Sequence, residues 1–391
     1  MKVLLRAPLL TNSGYGVHSR QIFEWIYGKD DIDLTTECLN WGHTPWLINP
    51  DTNKGLTGKI MECSKSLIKD KYDLTIQVQL PDEWNSNLGK KNIGVSAFVE
   101  TDRCNPAWIE CCNKMDHVIV PSRFTKTLTK RSGVITTPIT VVPEWYNHTL
   151  LNKSKMTKII SNDNRYNFDT KFNILMIGQF TSTNTDDDRK NLANALKWTI
   201  ETFKGNEEVG IVVKVNFGRG TTKDQMMTKA GITQIISESR NNSEFPKIHL
   251  IHGNMTSDEI ASLYTCSKIK MYASATRGEG YGLPLIDAAA SGLPIVVTGW
   301  SGHFEFLDKN LVRTVDYNLK EINKSRVDGR IFLDGFRWAE PLKSSFCRNM
   351  KFVYENYSEM KANANILKKS VISDYHKSKI KKLYDKIFDE V

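Results

Sequence analysis

Residues 277–294 read RGEGYGLPLIDAAASGLP, and no other stretch restricts the fold as much. Gly278, Gly280 and Gly282 alternate with Glu279 and Tyr281. Glycine weakens both helix and strand interiors, so this run is a loop whose backbone can approach a ligand closely. Pro284 suits the first helical position, where a missing N–H costs nothing. The segment from Leu285 to Ser291 then reads as a short helix of small residues ending at Gly292. Ile295-Val-Val follows as a buried strand, and Ile269 to Ala273 precedes the loop as another. Strand, glycine loop, helix, strand is the order of a phosphate-binding α/β unit.

The same alternation runs through the chain. Apolar strands are expected at Lys2–Arg6, Leu34–Leu39, Asp73–Val78, Asn92–Val99 and His117–Val120, with helices between them. Ser19–Ile26 and Pro106–Met115 read as two of these helices, and Ser122 caps a third. Asn147–Lys171 is polar with little periodicity and reads as a connection. A second series starts at Phe172–Ile177. A long polar loop follows over 181–188, then Arg189-Lys190-Asn191 at a helix start. Leu342–Glu355 and Met360–Glu390 read as helices. With 391 residues, these two series predict two domains. The boundaries expected are 1–150 for the first, 151–170 for the linker and 171–360 for the second. A terminal helix over 361–391 is expected to pack back toward the first. Two such α/β halves imply a cleft between them.

Composition narrows the class. No apolar run reaches the roughly 18 residues of a membrane helix, and the first residues do not read as a signal peptide. A cytoplasmic protein is expected. Seven cysteines without zinc-type spacing read as reduced thiols. The net charge of +9 fits an anionic ligand, an acidic membrane surface or nucleic acid. Asp186-Asp-Asp could hold a metal but reads more simply as a solvated lead-in to a helix, so no metal is expected.

The candidate residues divide by chemistry. Arg189 and Lys190 form a cationic pair at a helix start, an unfavourable place for positive charge unless something anionic offsets it. Gly14-Tyr-Gly16 lies too far beyond its strand, and lacks the third glycine, for a dinucleotide fingerprint. It reads as a flexible loop facing a phosphate or an acceptor. A nicotinamide-dependent oxidoreductase is disfavoured for the same reasons. His18 and His303 each lie just past a glycine-containing loop and fit either phosphate or sugar contacts or plain packing. Glu305 is a neighbour of the same kind. Glu100 and Asp102 follow a strand end, where open α/β sheets keep ligands, and also fit helix-start charges. Trp41, Trp46 and Trp84 could stack on a sugar or a base, whereas Trp108 reads as core.

EGYGLPLIDAAASGLPIVV, IHGNMTSDEIASLY, SATRGEG, the RKN of 189–191 and VIVPSRFTKTLTKRSGV together carry a resemblance. They resemble the retaining glycosyltransferases of family 4, whose motif is Glu-x7-Glu, strongly in the second domain and loosely in the first. The resemblance implies the GT-B fold, two Rossmann-like domains facing across a donor-binding cleft. It implies transfer from a UDP- or GDP-linked sugar to a hydroxyl, with no cofactor required. Glu279 would then hold the sugar hydroxyls, and Asp287 would take the second Glu's place on the ribose. Backbone around Gly280, Tyr281, Gly282 and Leu283 would bind sugar or phosphate. Lys190 with Arg189 would neutralise the leaving diphosphate, and Gly14 and Gly16 would flank the phosphates. The chain departs from the pattern at Asp287, one methylene shorter, and at Gln179, where many members carry Arg. It departs also at Glu100-Thr-Asp102, which stands where the family has His and would face sugar or acceptor. The acceptor expected is a saccharide or glycolipid. The alternatives are a hydroxymethylated DNA base, as in phage-type members, and a non-catalytic nucleotide-sugar-binding module.

Overall fold

In a computed structural model of the chain, the alternation of apolar strands and amphipathic helices becomes two parallel sheets. The structure describes residues 1–64, 71–180, 184–240 and 244–390. The start of the polar loop expected at 181–188 lies outside the described residues. The chain divides into unit 1, residues 1–145, 328–333 and 377–391, and unit 2, residues 146–327 and 334–376.

Unit 1 is built on β1 (Lys2–Ala7), β2 (Asp33–Cys38), β3 (Tyr72–Val78), β4 (Gly89–Val95), β5 (His117–Val120) and β6 (Ile139–Val141). They run parallel in the order β2-β1-β3-β4-β5-β6. Val3, Leu4, Leu5, Val118 and Val120 are fully buried, as expected where helices cover both faces of a sheet. The helices α1 (Gly14–Ile26), α2 (Leu56–Glu62), α3 (Pro106–Cys112) and α4 (Arg123–Ser132) connect the strands. Ser13 caps α1 by accepting the Gly16 N–H at 2.9 Å.

Two expectations are corrected in this unit. Gly14-Tyr-Gly16 is the first turn of α1, not a flexible loop. Gly16 is needed for packing, since a Cβ there would lie 2.1 Å from the Thr11 carbonyl oxygen. The fourth strand ends at Val95 rather than Val99. Ser96 Oγ accepts the Phe98 N–H at 3.1 Å, and Phe98 turns to φ 54°, which breaks the strand.

Unit 2 opens with α5 (Lys153–Asn162), inside the polar segment read as a connection. Asn152 caps it and Met156 is its buried anchor. Then come β7 (Phe172–Gln179), α6 (Leu192–Thr202), β8 (Val209–Asn216), α7 (Thr222–Arg240), β9 (Lys247–His252) and α8 (Ser257–Thr265). The cap of α8 is Thr256, in a reciprocal box with Glu259. The series continues with β10 (Ile269–Ser274), α9 (Leu283–Ser291), β11 (Ile295–Thr298) and β12 (Arg313–Val315). The strand order is β12-β11-β10-β7-β8-β9, so β10 and β7 lie at the middle, where the order reverses. Side chains alternate across this sheet. Leu175, Val212 and Tyr272 face one core with α8 and α9. Ile174, Ile211 and Met271 face the other with α6.

Beyond β12 lies an antiparallel hairpin without a counterpart in the sequence reading, β13 (Tyr317–Glu321) with β14 (Arg337–Pro341). The helix expected over Leu342–Glu355 is present, and the one expected over Met360–Glu390 is two. Helix α10 spans Lys343–Glu355, α11 spans Tyr357–Asp374, and α12 spans Lys377–Glu390. The break at Tyr375-His376 has a packing origin. Leu367 and Val371 of α11 join the core of unit 2, while α12 belongs to unit 1. There Tyr384 Oη meets His18 Nε2 at 2.9 Å, and Asp385 accepts from Trp25 Nε1 at 2.8 Å.

Candidate active site

The glycine loop joins the C-terminal end of β10 to α9. Gly282 sits at φ 105° as the N-cap and Gly292 at φ 79° closes the helix, both in the left-handed region glycine tolerates. Pro284 has no N–H, and Leu285 and Ile286 donate theirs to the Gly282 carbonyl at 2.9 and 3.1 Å. The Leu283 N–H at the start of α9 has no intrahelical acceptor and points a donor toward an anion. Gly302 is packed so tightly under the loop that a Cβ would lie 2.0 Å from the Gly280 carbonyl oxygen. Its N–H donates to the Glu279 carbonyl at 2.8 Å.

Glu279 is 8% exposed. Lys190 Nζ donates to both its carboxylate oxygens at 2.7 Å, and Arg189 Nη1 stands 3.7 Å away. Thr276 Oγ1 adds a hydrogen bond at 3.1 Å. Burial alone would push this carboxyl up. The Lys190 and Arg189 cations reverse that and hold it below the usual carboxylate range. The acid and the cationic pair, 89 residues apart in sequence, form one charged cluster at the middle of the sheet.

Behind Glu279 lies a hydrogen-bond chain. Its backbone N–H donates to Ser301 Oγ at 2.9 Å. Ser301 Oγ is 3.3 Å from His303 Nδ1, and His303 Nε2 is 2.9 Å from the Thr298 carbonyl. A carbonyl only accepts, so Nε2 carries the proton and Nδ1 receives the serine hydroxyl. Burial pushes His303 down to about 4, so the ring is neutral and this arrangement holds at ordinary pH. Ser301 keeps a left-handed φ of 101°, an unfavourable conformation for a residue with a Cβ.

Arg189 and Lys190 precede α6 rather than start it. Asn191, at φ 50°, is the N-cap, and its Nδ2 donates to the Ala275 carbonyl at 3.1 Å. Arg189 Nη1 donates to the Gly278 carbonyl at 2.6 Å. Asp188 accepts the N–H groups of Lys190 and Leu192 at 3.2 and 3.0 Å. Asp187 accepts from Asn184, Asn323 and Ser325. Asp187 and Asp188 thus fix the loop, while Asp186 is exposed. Among the described residues no group of three His, Cys, Asp or Glu side chains is placed to hold a metal ion.

Other candidates have different surroundings. Asp287 lies in the second turn of α9, which begins at Leu283. One oxygen accepts the Asn147 N–H at 2.7 Å, and burial pushes the carboxyl up to about 7. The Tyr281 ring packs in the core, 5.0 Å from that of Phe306. Glu305 closes a short turn, Gly302–Glu305, whose last carbonyl accepts from Tyr375 Oη.

In unit 1, His18 is 3% exposed, bonded to Tyr384, and pushed by burial down to about 4. Glu100 and Asp102 are half-buried beyond β4. Glu100 lies near Tyr15, whose ring stacks on Trp41 at 3.8 Å and whose Oη meets Ser96 Oγ at 3.0 Å. Two residues of unit 2 escaped the sequence reading. Ser301 was visible only as part of a glycine turn. Arg277 stood beside the motif, but its partner Glu340 is 63 residues away.

Parallel Rossmann-like sheets and a central glycine loop against a cationic pair define a glycosyltransferase of the GT-B fold. Residues 144–380 match the family model described as Family 4 Glycosyltransferase in conflict systems, and the chain belongs to that family. It is a retaining glycosyltransferase. Compared with curated protein sequences, the chain has no significant match. Among solved structures it is similar to sucrose-phosphate synthase of Thermosynechococcus elongatus, with a TM-score of 0.66 and 13% identity over 100% of both chains. It is similar to Anabaena HepE in complex with UDP-glucose, with a TM-score of 0.63 and 12% identity over 100% of both. The pneumococcal O-GlcNAc transferase GtfA, in complex with UDP and GlcNAc, aligns at a TM-score of 0.52 and 14% identity. That alignment covers 81% of this chain and 56% of GtfA. At these identities the likeness is one of fold. Among the described residues no helix is long and apolar enough to cross a membrane.

Proposed function

We propose that the chain transfers a hexose or pentose from a UDP- or GDP-linked donor to a hydroxyl of a saccharide or glycolipid, with retention at the anomeric carbon. The observation that carries this reading is Glu279 held by Lys190 at 2.7 Å beside the N-terminus of α9. A diphosphate seated there meets a helix N–H donor and two cations. Lys190 and Arg189 stabilise the negative charge that develops on the leaving diphosphate as the glycosidic bond breaks. Glu279, released from part of its ion pair, accepts hydrogen bonds from the sugar hydroxyls. The Asp287 oxygen not held by Asn147 accepts from the ribose, more strongly above pH 7 where the group is ionised. The seven cysteines are all free, which supports a reducing, cytoplasmic setting.

A screen of nucleotide sugars for thermal stabilisation tests the donor, starting with UDP-glucose, which the HepE structure contains. A donor at 100 times its dissociation constant adds about 2.7 kcal/mol. The reading fails if no nucleotide sugar stabilises the protein and none is cleaved. One second reading has specific support. The net charge of +9 and a family described from conflict systems favour a hydroxylated nucleic-acid base as acceptor. Binding to DNA that falls steeply with salt supports that acceptor, and no binding at low salt removes it.

A further inference from the structure

Arg277 has no part in the chemistry described so far, yet its side chain is wholly buried in unit 2. A guanidinium is costly to bury unless its donors and its charge are both met. Here they are. Nε and Nη2 make a two-pronged bond to Glu340 at 2.7 and 2.9 Å. Nη1 donates to the carbonyls of Thr185 and Asp188 at 2.7 and 2.8 Å. The Trp338 ring lies 5.4 Å from the guanidinium carbon. The backbone joins in, since the Arg277 N–H donates to the Arg189 carbonyl at 2.8 Å and its carbonyl accepts from Ala339 at 3.1 Å. One residue therefore binds together three segments: the irregular loop carrying Arg189 and Lys190, the glycine loop carrying Glu279, and β14.

We propose that Arg277, held by Glu340, is the positioning residue that sets Lys190 and Arg189 for the leaving diphosphate. The proposal rests on the donor-site reading above. Glu340 neutralises Arg277, so the guanidinium adds little field of its own and acts through the loop it grips. Lysine has one nitrogen and cannot reach Glu340 and two carbonyls together. The hairpin β13–β14 gains a purpose, because it delivers Trp338 and Glu340 to this point.

The test compares Arg277→Lys, Glu340→Gln and Glu340→Asp with the unaltered chain and with Lys190→Ala. UDP-glucose is the probe, and UDP release and hydrogen exchange over residues 184–192 are the readouts. We expect Arg277→Lys and Glu340→Gln to lower kcat about 10- to 100-fold, the cost of a misplaced catalytic group. KM for UDP-glucose should move less than about threefold, because the lost stabilisation belongs to the transition state. Exchange over 184–192 should quicken while β10 and β11 keep their protection. Glu340→Asp, which keeps a two-pronged carboxylate, should recover part of the rate. The proposal is overturned if folded variants keep kcat within twofold while Lys190→Ala loses a hundredfold, or if exchange over 184–192 is unchanged. If Lys190→Ala also keeps full rate, the donor-site reading is what fails. The exchange arm needs no turnover. Glu340 is 25% exposed, so its variants carry the test if Arg277→Lys does not fold.

Discussion

Replacing Lys190 with Ala should change both the stability of unit 2 and the way that stability depends on pH. With Lys190 Nζ 2.7 Å from the Glu279 oxygens, two unit charges attract by about 6 kcal/mol at an effective dielectric of ~20. Arg189, at 3.7 Å, retains about 4.5 kcal/mol by the same arithmetic. Lys190 is 22% exposed, so water enters the space it leaves, and the desolvation it suffered is recovered. The net loss should sit near the low end of that for broken buried pairs, about 3 kcal/mol. The sign with pH follows from Glu279. In the unaltered chain its carboxyl is held below the ordinary value of 4.5, so its contribution is present above that pH and is lost as pH falls through the folded value. Without Lys190, the largest cationic influence opposing burial is gone and the carboxyl should rise. Relative to the unaltered chain, its ionisation then costs stability as pH rises through the new value. The gap between the two proteins should therefore be near its full size at pH 8 and small at pH 4. Six of the nine tryptophans lie in unit 1, so fluorescence would report the wrong unit. Hydrogen exchange of β7 and β8 amides at several pH values reads unit 2 directly. A double-mutant cycle with Glu279→Ala completes the measurement. An equal gap at pH 5 and pH 8, or a coupling below about 0.5 kcal/mol, would refute the reasoning.

Gly302→Ala should drive a methyl into the Gly280 carbonyl, lower the melting temperature and abolish stabilisation by UDP-glucose, as a thermal-shift titration would show. Asp287→Asn should flatten the pH dependence of UDP binding around pH 7, where the unaltered chain should bind more tightly as pH rises; isothermal titration at pH 6 and 8 reads this. His18 and His303, both pushed from 6.5 down to about 4, take up protons on unfolding, so stability should fall as pH drops through that window. Urea midpoints at pH 7 and 5 check it, and Tyr384→Phe, which strands the buried His18 nitrogen, should cost about 1–3 kcal/mol.

Much of the second sheet was legible because its strands are continuous apolar runs between punctuating residues. Gly292 ends α9 where the sequence placed the end, and Ser122 caps α4. The donor loop was legible because three alternating glycines admit few conformations. The helical turn at Gly14–Gly16 was not, since glycine argues against helix locally and the deciding contact is the Thr11 backbone. The β13–β14 hairpin escaped because its strands are five residues each, β13 is largely exposed, and β14 buries Trp338 and Ala339 in succession, so neither shows the alternation that marks a strand. The role of Arg277 depends on a partner 63 residues away, and the break at Tyr375-His376 on which unit each helix packs against. Neither has a local signal.

The placement of α12 bears on how the chain is made. In unit 1, His18 and Trp25 find their partners on Tyr384 and Asp385, 366 and 360 positions later. Domains generally fold in order of synthesis. Here the first sheet can form early, while the face of α1 carrying His18 and Trp25 stays wet and sticky until α12 has been made. Its nascent form should bind chaperones, and a release delayed near residue 376 should leave a soluble second unit attached to an aggregation-prone first one.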